Sequence, residues 1–169
     1  AMEESFEIIA KSKYGLENNI KAVIDRFTGN FKLTHIKDVV ETSHGLLSIS
    51  VSKHNVSRAL RVFDTLIKLL HLRGHRVIVN YSNTIIIIDG EKFKIKLREK
   101  YTRKKANEGS WITSSLVPNN KLSFKLDEVY SNTEWVEGKQ PIEKMLPRIT
   151  AALELKAKHE KKKRIERNK

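Results

Sequence analysis

Asp89, Glu91 and Lys94 come nearest to a catalytic set, because paired carboxylates can hold a divalent cation while a lysine assists an attacking water, as in metal-dependent nucleases. Their positions weaken that reading. Asp89-Gly90 is already accounted for as a hairpin turn of type I′, which needs positive φ at both central residues, and Glu91 and Lys94 differ in strand parity, so they point to opposite faces. Six histidines, His35, His44, His54, His71, His75 and His159, are scattered along the chain. Only His71 and His75 have the spacing of a helical metal pair, and Gly74 breaks the helix between them. A helix C-terminus attracting imidazoles explains them better than zinc. No glycine-rich phosphate loop or nucleophile elbow occurs. With no cysteine there is no thiolate ligand, nucleophile or disulfide, which fits a reducing compartment. No cofactor, metal or catalytic residue is expected.

The chemistry the sequence does offer is positive charge in a regular array. Over Phe93-Lys94-Ile95-Lys96-Leu97-Arg98-Glu99-Lys100, side chains alternate across a strand. Phe93, Ile95 and Leu97 then face a core, while Lys94, Lys96, Arg98 and Lys100 line the other face. Successive cations lie roughly 6.6 Å apart, comparable with phosphates along a nucleic-acid backbone. Arg103, Lys104 and Lys105 carry the charge onward toward Trp111, whose ring suits stacking on an unpaired base. The competing reading is a lysine-rich strand whose charges discourage edge-to-edge aggregation.

The charge is unevenly spread. The net formal charge is +13, and residues 91–105 hold eight basic groups against two acids while residues 151–169 hold eight against three. Such clusters attract polyanions. Lys161-Lys162-Lys163-Arg164 either grips a phosphate backbone or begins a linker. Arg58, Arg61, Lys68 and His71 share the polar side of a helix, where facing water is the simpler role.

Several elements must position these groups. Phe6 to Ala10 suits a strand, and Leu16, Ile20, Val23, Ile24 and Phe27 recur at helical spacing before Gly29. Leu46 to Ser52 alternates as a half-buried strand. Val56 to Leu70 forms a wide apolar stripe, capped by Asn55 and ended by Gly74. Arg76 to Tyr81, Thr84 to Asp89 and Phe93 to Tyr101 read as antiparallel strands turning at Ser82-Asn83 and at Gly90, with Ile85 to Ile88 central and covered on both sides. Ala106 to Asn120, rich in serine and holding Gly109 and Pro118, reads as a long loop. A strand at Leu122 to Leu126 follows. Gly138 and Pro141 then lead into a closing helix, with Pro147 in its first turn and Trp135 packing the approach onto the core.

Leu97-Arg98-Glu99-Lys100, the Pro118 to Leu122 strand start, Trp135-Val136-Glu137-Gly138-Lys139 and the closing amphipathic helix together resemble the C-terminal region of uncharacterised bacterial proteins, many found near mobile elements, whose N-terminal part looks like a helix-turn-helix. The similarity covers roughly residues 58–157, and Pro147 departs from the uninterrupted final helix of that pattern. The resemblance implies association with DNA through a neighbouring domain, and no catalytic residues. Ala1 ahead of Met2 looks like a remnant of tag removal, which fits a piece of a larger mobile-element or regulatory protein.

The expectation is an α+β fold: an antiparallel sheet of about five strands packed by a central amphipathic helix and a C-terminal helix. One domain spans residues 1–155, and 156–169 form a basic helical extension or disordered tail. No apolar run reaches about 18 residues, so no membrane is expected and the cytoplasm is the expected location. The leading function is a non-catalytic nucleic-acid-binding or regulatory module, DNA first, touching phosphates through Lys94, Lys96, Arg98, Lys100, Arg103, Lys104 and Lys105, with Trp111 as a stacking group. The alternative is a protein-interaction or dimerisation module with a solubilising basic surface, a homo-oligomer being one form of it; a nuclease is third.

Overall fold

The computed structural model describes residues 31–42, 45–81, 83–127 and 132–169. The strand and helix expected at Phe6–Ala10 and Leu16–Phe27 lie outside those residues. Among the described residues the fold is α+β, with two α-helices and a mostly antiparallel, mixed sheet of eight strands rather than about five. The strands are β1 (Phe31–Leu33), β2 (Val39–Thr42), β3 (Ile49–Ser52), β4 (Arg76–Asn80), β5 (Asn83–Ile88), β6 (Glu91–Glu108), β7 (Trp111–Leu126) and β8 (Glu134–Val136). Helix α1 (Val56–Leu72) joins β3 to β4, and α2 (Ile142–Arg167) closes the chain. None of the described helices is long and apolar enough to cross a membrane.

Strand β6 is the spine. One of its edges pairs antiparallel with β5 and then, farther along, parallel with β3, while its other edge pairs antiparallel with β7. The parallel step, Ile49 beside Leu97, corrects the all-antiparallel expectation; α1 with the β4–β5 hairpin supplies the crossover a parallel pair requires. Flanked by β2 and β6, β3 is buried on both faces, so Ser50 and Ser52 are interior rather than solvated.

The apolar stripe of α1 covers one face of the sheet. Phe63 meets Phe124 edge to face, with centroids 5.2 Å apart, among Phe93, Ile95, Leu97 and the α2 residues Leu146, Ile149 and Leu153. Trp135 packs against this core, as its sequence position suggests. Gly74 ends α1 at φ 82°, where its N–H donates to His71 O and that of His75 to Leu70 O. Asn55 precedes α1, but its side chain makes no cap; it is drawn into a buried polar cluster described below.

The hairpin turn at Asp89 and Gly90 has φ of 50° and 82°, the signature the sequence suggested. The earlier turn falls one residue sooner than expected: Asn80 pairs with Asn83, and Tyr81 takes φ 55°. In β5 one face is buried and the other, with Ile85 and Ile87, is half-buried, so the expected cover on both faces is incomplete. Pro147 lies in the second turn of α2, inside the helix, which runs on through it to Arg167.

The largest departure is at Ala106 to Asn120. Instead of a loop, β6 runs on to Glu108, reverses through Gly109 and Ser110 with Gly109 at φ 66°, and returns as β7. Serine, glycine and proline gave the stretch the composition of a loop. Yet cross-strand pairing from Glu108 and Trp111 back to Tyr101 and Pro118 satisfies its backbone, and Pro118 sits beside a β-bulge, where sheets tolerate proline.

Candidate nucleic-acid interface

Because β6 outruns the helices, its cations meet two environments. Over the body of the sheet, Lys94, Lys96, Arg98 and Lys100 lie on the face away from the helical core, as alternation requires. Lys94 is exposed and Lys96 half-buried; neither has an acidic partner among the described residues. Arg98 and Lys100 are not free. Arg98 donates from Nε and Nη2 to Glu134 Oε1 at 3.0 and 2.9 Å, and Lys100 Nζ lies 3.2 Å from both Glu134 oxygens. Strand β8, anchored by Trp135, places Glu134 beside Lys125 and within reach of Ser123 Oγ, which donates to it at 2.8 Å. Burial acts to raise the Glu134 pKa, but the hydrogen bonds from Ser123, Arg98 and Lys100 outweigh it and hold the carboxyl below its ordinary range. The expected row of four free cations is therefore reduced to Lys94 and Lys96, because a distant acid folds onto the other two.

Beyond the core, β6 and β7 form a two-stranded ribbon. Its inward parity, which buries Phe93, Ile95, Leu97 and Glu99 in the body, carries Arg103 and Lys105 here, opposite Leu116 and Ser114; its outward parity carries Lys104 opposite Ser115 and places Trp111 on the same face. Arg103, Lys104 and Lys105 are all exposed, so they are brought together with Trp111, though on two faces rather than one. Trp111 and Ile112 are 76% and 72% exposed, unusual for side chains of their size. Arg103 Nη1 donates to Ser114 Oγ at 3.0 Å, a cross-strand contact that leaves its charge unneutralised.

The base of the ribbon is fixed by Glu99, which is fully buried. Ser52 N (3.1 Å) and Asn55 Nδ2 (2.7 Å) donate to Oε1, and Ser52 Oγ (2.9 Å) and Asn120 N (3.1 Å) to Oε2. Asn120, at φ 64°, occupies the bulge where the β6–β7 register shifts, and His54 Nε2 lies 2.6 Å from its Oδ1. A bulge bends and twists a ribbon, so this cluster sets the direction in which the arm leaves the sheet. Glu99 was not singled out from sequence. Its signal was there: a carboxylate continuing the inward parity of Phe93, Ile95 and Leu97.

The other candidate groups are used internally. Arg58 pairs with Glu137 at 2.6 Å and with Glu143 at 2.8 Å, while Glu137 also accepts the N–H groups of Leu122 and Ile142. These carboxylates raise the Arg58 pKa. Burial works to raise that of Glu137, but Arg58 and the two backbone donors bring it below its ordinary range. Arg61 bonds Ser57, and Lys68 pairs with Asp64. Glu91 binds Arg164 and Lys163 pairs with Glu160, so the Lys161 to Arg164 run is partly neutralised on the exposed end of α2. His75 Nε2 is 3.0 Å from Glu154, which Arg73 also pairs. The described residues contain no group of three or more His, Asp or Glu able to hold a metal.

The NusA N-terminal domain family model matches residues 1–106, more than half of the chain. The chain belongs to the NusA N-terminal domain family. The match to this family runs through α1, β4 and β5 and along β6 to Ala106; β7, β8 and α2 lie beyond it. Arg103, Lys104 and Lys105 thus fall inside the part matched to the NusA N-terminal domain, and Trp111 outside it. Neither the curated proteins nor the solved structures gave a match.

Proposed function

We propose that this chain is a non-catalytic, nucleic-acid-binding regulatory module, associated with transcription and acting through phosphate contacts. The observation that carries the reading is the β6–β7 ribbon, which presents Arg103, Lys104 and Lys105 to solvent beside an exposed Trp111. Lys94 and Lys96 extend the contact along the sheet. Membership of the NusA N-terminal domain family supports the transcriptional setting and supports nucleic acid or RNA polymerase as the partner. The resemblance to mobile-element proteins adds the proposal that a neighbouring helix-turn-helix supplies base recognition and that the polymer is DNA. A second reading, a protein-docking or self-association arm, draws on the apolar exposure of Trp111, Ile112 and Leu116.

Fluorescence anisotropy with labelled duplex DNA, single-stranded DNA and RNA over a salt series separates the two. If Lys94, Lys96, Arg103, Lys104 and Lys105 each neutralise a phosphate, the log–log slope on duplex DNA is about −4.5. Replacing Arg103, Lys104 and Lys105 together by Glu should cut affinity at least about tenfold, with the circular dichroism spectrum unchanged. Affinity that stays flat with salt, or survives reversal of all five cations, Lys94 and Lys96 included, overturns the proposal in favour of protein docking.

A further inference from the structure

The two faces of the ribbon arm are alike in an informative way. One carries Arg103, Lys105 and Ile112, the other Lys104 and Trp111. Cations on both faces have no use against a single phosphate strand lying on one side, which engages one face and leaves the other in water. They match a cleft with phosphates on both walls. From Thr102 to Glu108 the ribbon extends for roughly 20 Å, longer than the groove of a duplex is deep. With side chains it is about 10 Å thick, and the major groove of B-form DNA, about 12 Å wide, admits a two-stranded ribbon. The major groove of an A-form RNA duplex is too narrow and deep to do so.

The end of the arm fits the same occupant. Trp111 and Ile112 are the first residues after the Gly109-Ser110 reversal, one on each face, and both are mostly exposed. Apolar side chains placed at the tip of a cationic arm are suited to enter a base step and unstack it, kinking the duplex as the apolar wedges of minor-groove proteins do from the opposite side. The acceptors of Glu99 and the Asn120 bulge hold the arm's base, so a tip pressed into DNA has a rigid support.

We infer that the β6–β7 ribbon is a groove-inserting arm for duplex DNA, with Trp111 and Ile112 as its wedge. The inference rests on the nucleic-acid reading above and names its polymer. It is tested with the whole chain, using a B-form duplex of about 30 bp, its separated strand and the corresponding RNA duplex as anisotropy probes, and the same DNA duplex labelled at both ends for energy transfer. The DNA duplex should bind at least about tenfold more tightly than the other two and should bend by about 20–90°. Trp111→Ala with Ile112→Ser should abolish most of the energy-transfer change even at protein concentrations that saturate the duplex.

Equal or tighter binding of the single strand or RNA duplex overturns the inference, as does an unchanged bend in the double variant. Binding removed by reversing Lys94 and Lys96 but not Arg103, Lys104 and Lys105 leaves nucleic-acid binding standing and removes the arm from it. Failure to bind any of the probes overturns both.

Discussion

Glu99 is the residue on which the geometry of the arm depends. Its carboxylate accepts from the backbone of Ser52 and Asn120 and from the side chains of Ser52 and Asn55, and no cation pairs with it among the described residues. A buried donor left without an acceptor costs about 1–3 kcal/mol. Glu99→Gln turns one acceptor into a donor facing donors, and should lower unfolding free energy by about 3 kcal/mol in urea titration. Glu99→Ala should cost as much or more. A change within about 0.5 kcal/mol for Gln would mean that the four contacts carry little of the stability. The same residue illustrates how far single positions are readable: its inward parity is plain from the alternation of its neighbours, but its partners come from β3, the start of α1 and β7, which only folding brings together.

At the scale of elements, α2 is the helix most at odds with its own sequence. Pro147 has no N–H to give the carbonyl of Glu143 and its ring crowds that turn. Neighbouring Met145, Leu146 and Ile149 are buried, so tertiary packing holds the helix continuous through the defect. Pro147 itself is exposed, and Pro147→Ala loses no packing there. Restoring the hydrogen bond should raise stability by about 1–2 kcal/mol, part of the gain being offset by greater freedom of the unfolded chain. Thermal unfolding of the variant checks this, and a lower midpoint would show that the proline is accommodated without cost. The arm makes the complementary point. Its residues looked like a loop by composition, and hydrogen bonding to the partner strand overrode that preference, as strand propensity depends on what lies across the ladder.

Across the molecule, carboxylates fold into contact with arginine. Arg58 lowers the pKa of Glu143, and Arg73, then His75, bring that of Glu154 down to about 2. For Glu134 and Glu137, hydrogen bonds prevail over burial in the same direction. A carboxyl with a folded pKa below its unfolded value contributes stability that is fully present above the unfolded pKa and is lost as pH falls through the folded one. The urea midpoint should therefore hold steady above pH about 5 and fall progressively toward pH about 2. Asp64 acts in the opposite sense: burial raises its pKa against the opposing contact with Lys68, so its ionisation weakens the fold as pH rises. Four lowered carboxyls against one raised make decline in acid the net expectation. A midpoint that stayed constant from pH about 5 to 3 would show that these pairs exist without stabilising.

Local chemistry sufficed for the α+β class, the extent of α1 with its Gly74 stop, the Asp89-Gly90 turn, the alternating parity of β6 and the basic character of its surface. Each follows from steric limits or periodicity within a few residues. The parallel pairing of β3 with β6, the arm built from an apparent loop, the capture of Arg98 and Lys100 by Glu134, and the buried role of Glu99 required the tertiary structure. Except in the arm, a local hairpin that its loop-like composition concealed, the deciding partner lies far along the chain, and a hydrogen bond or ion pair has no signature in sequence until folding sets the distance between its two ends.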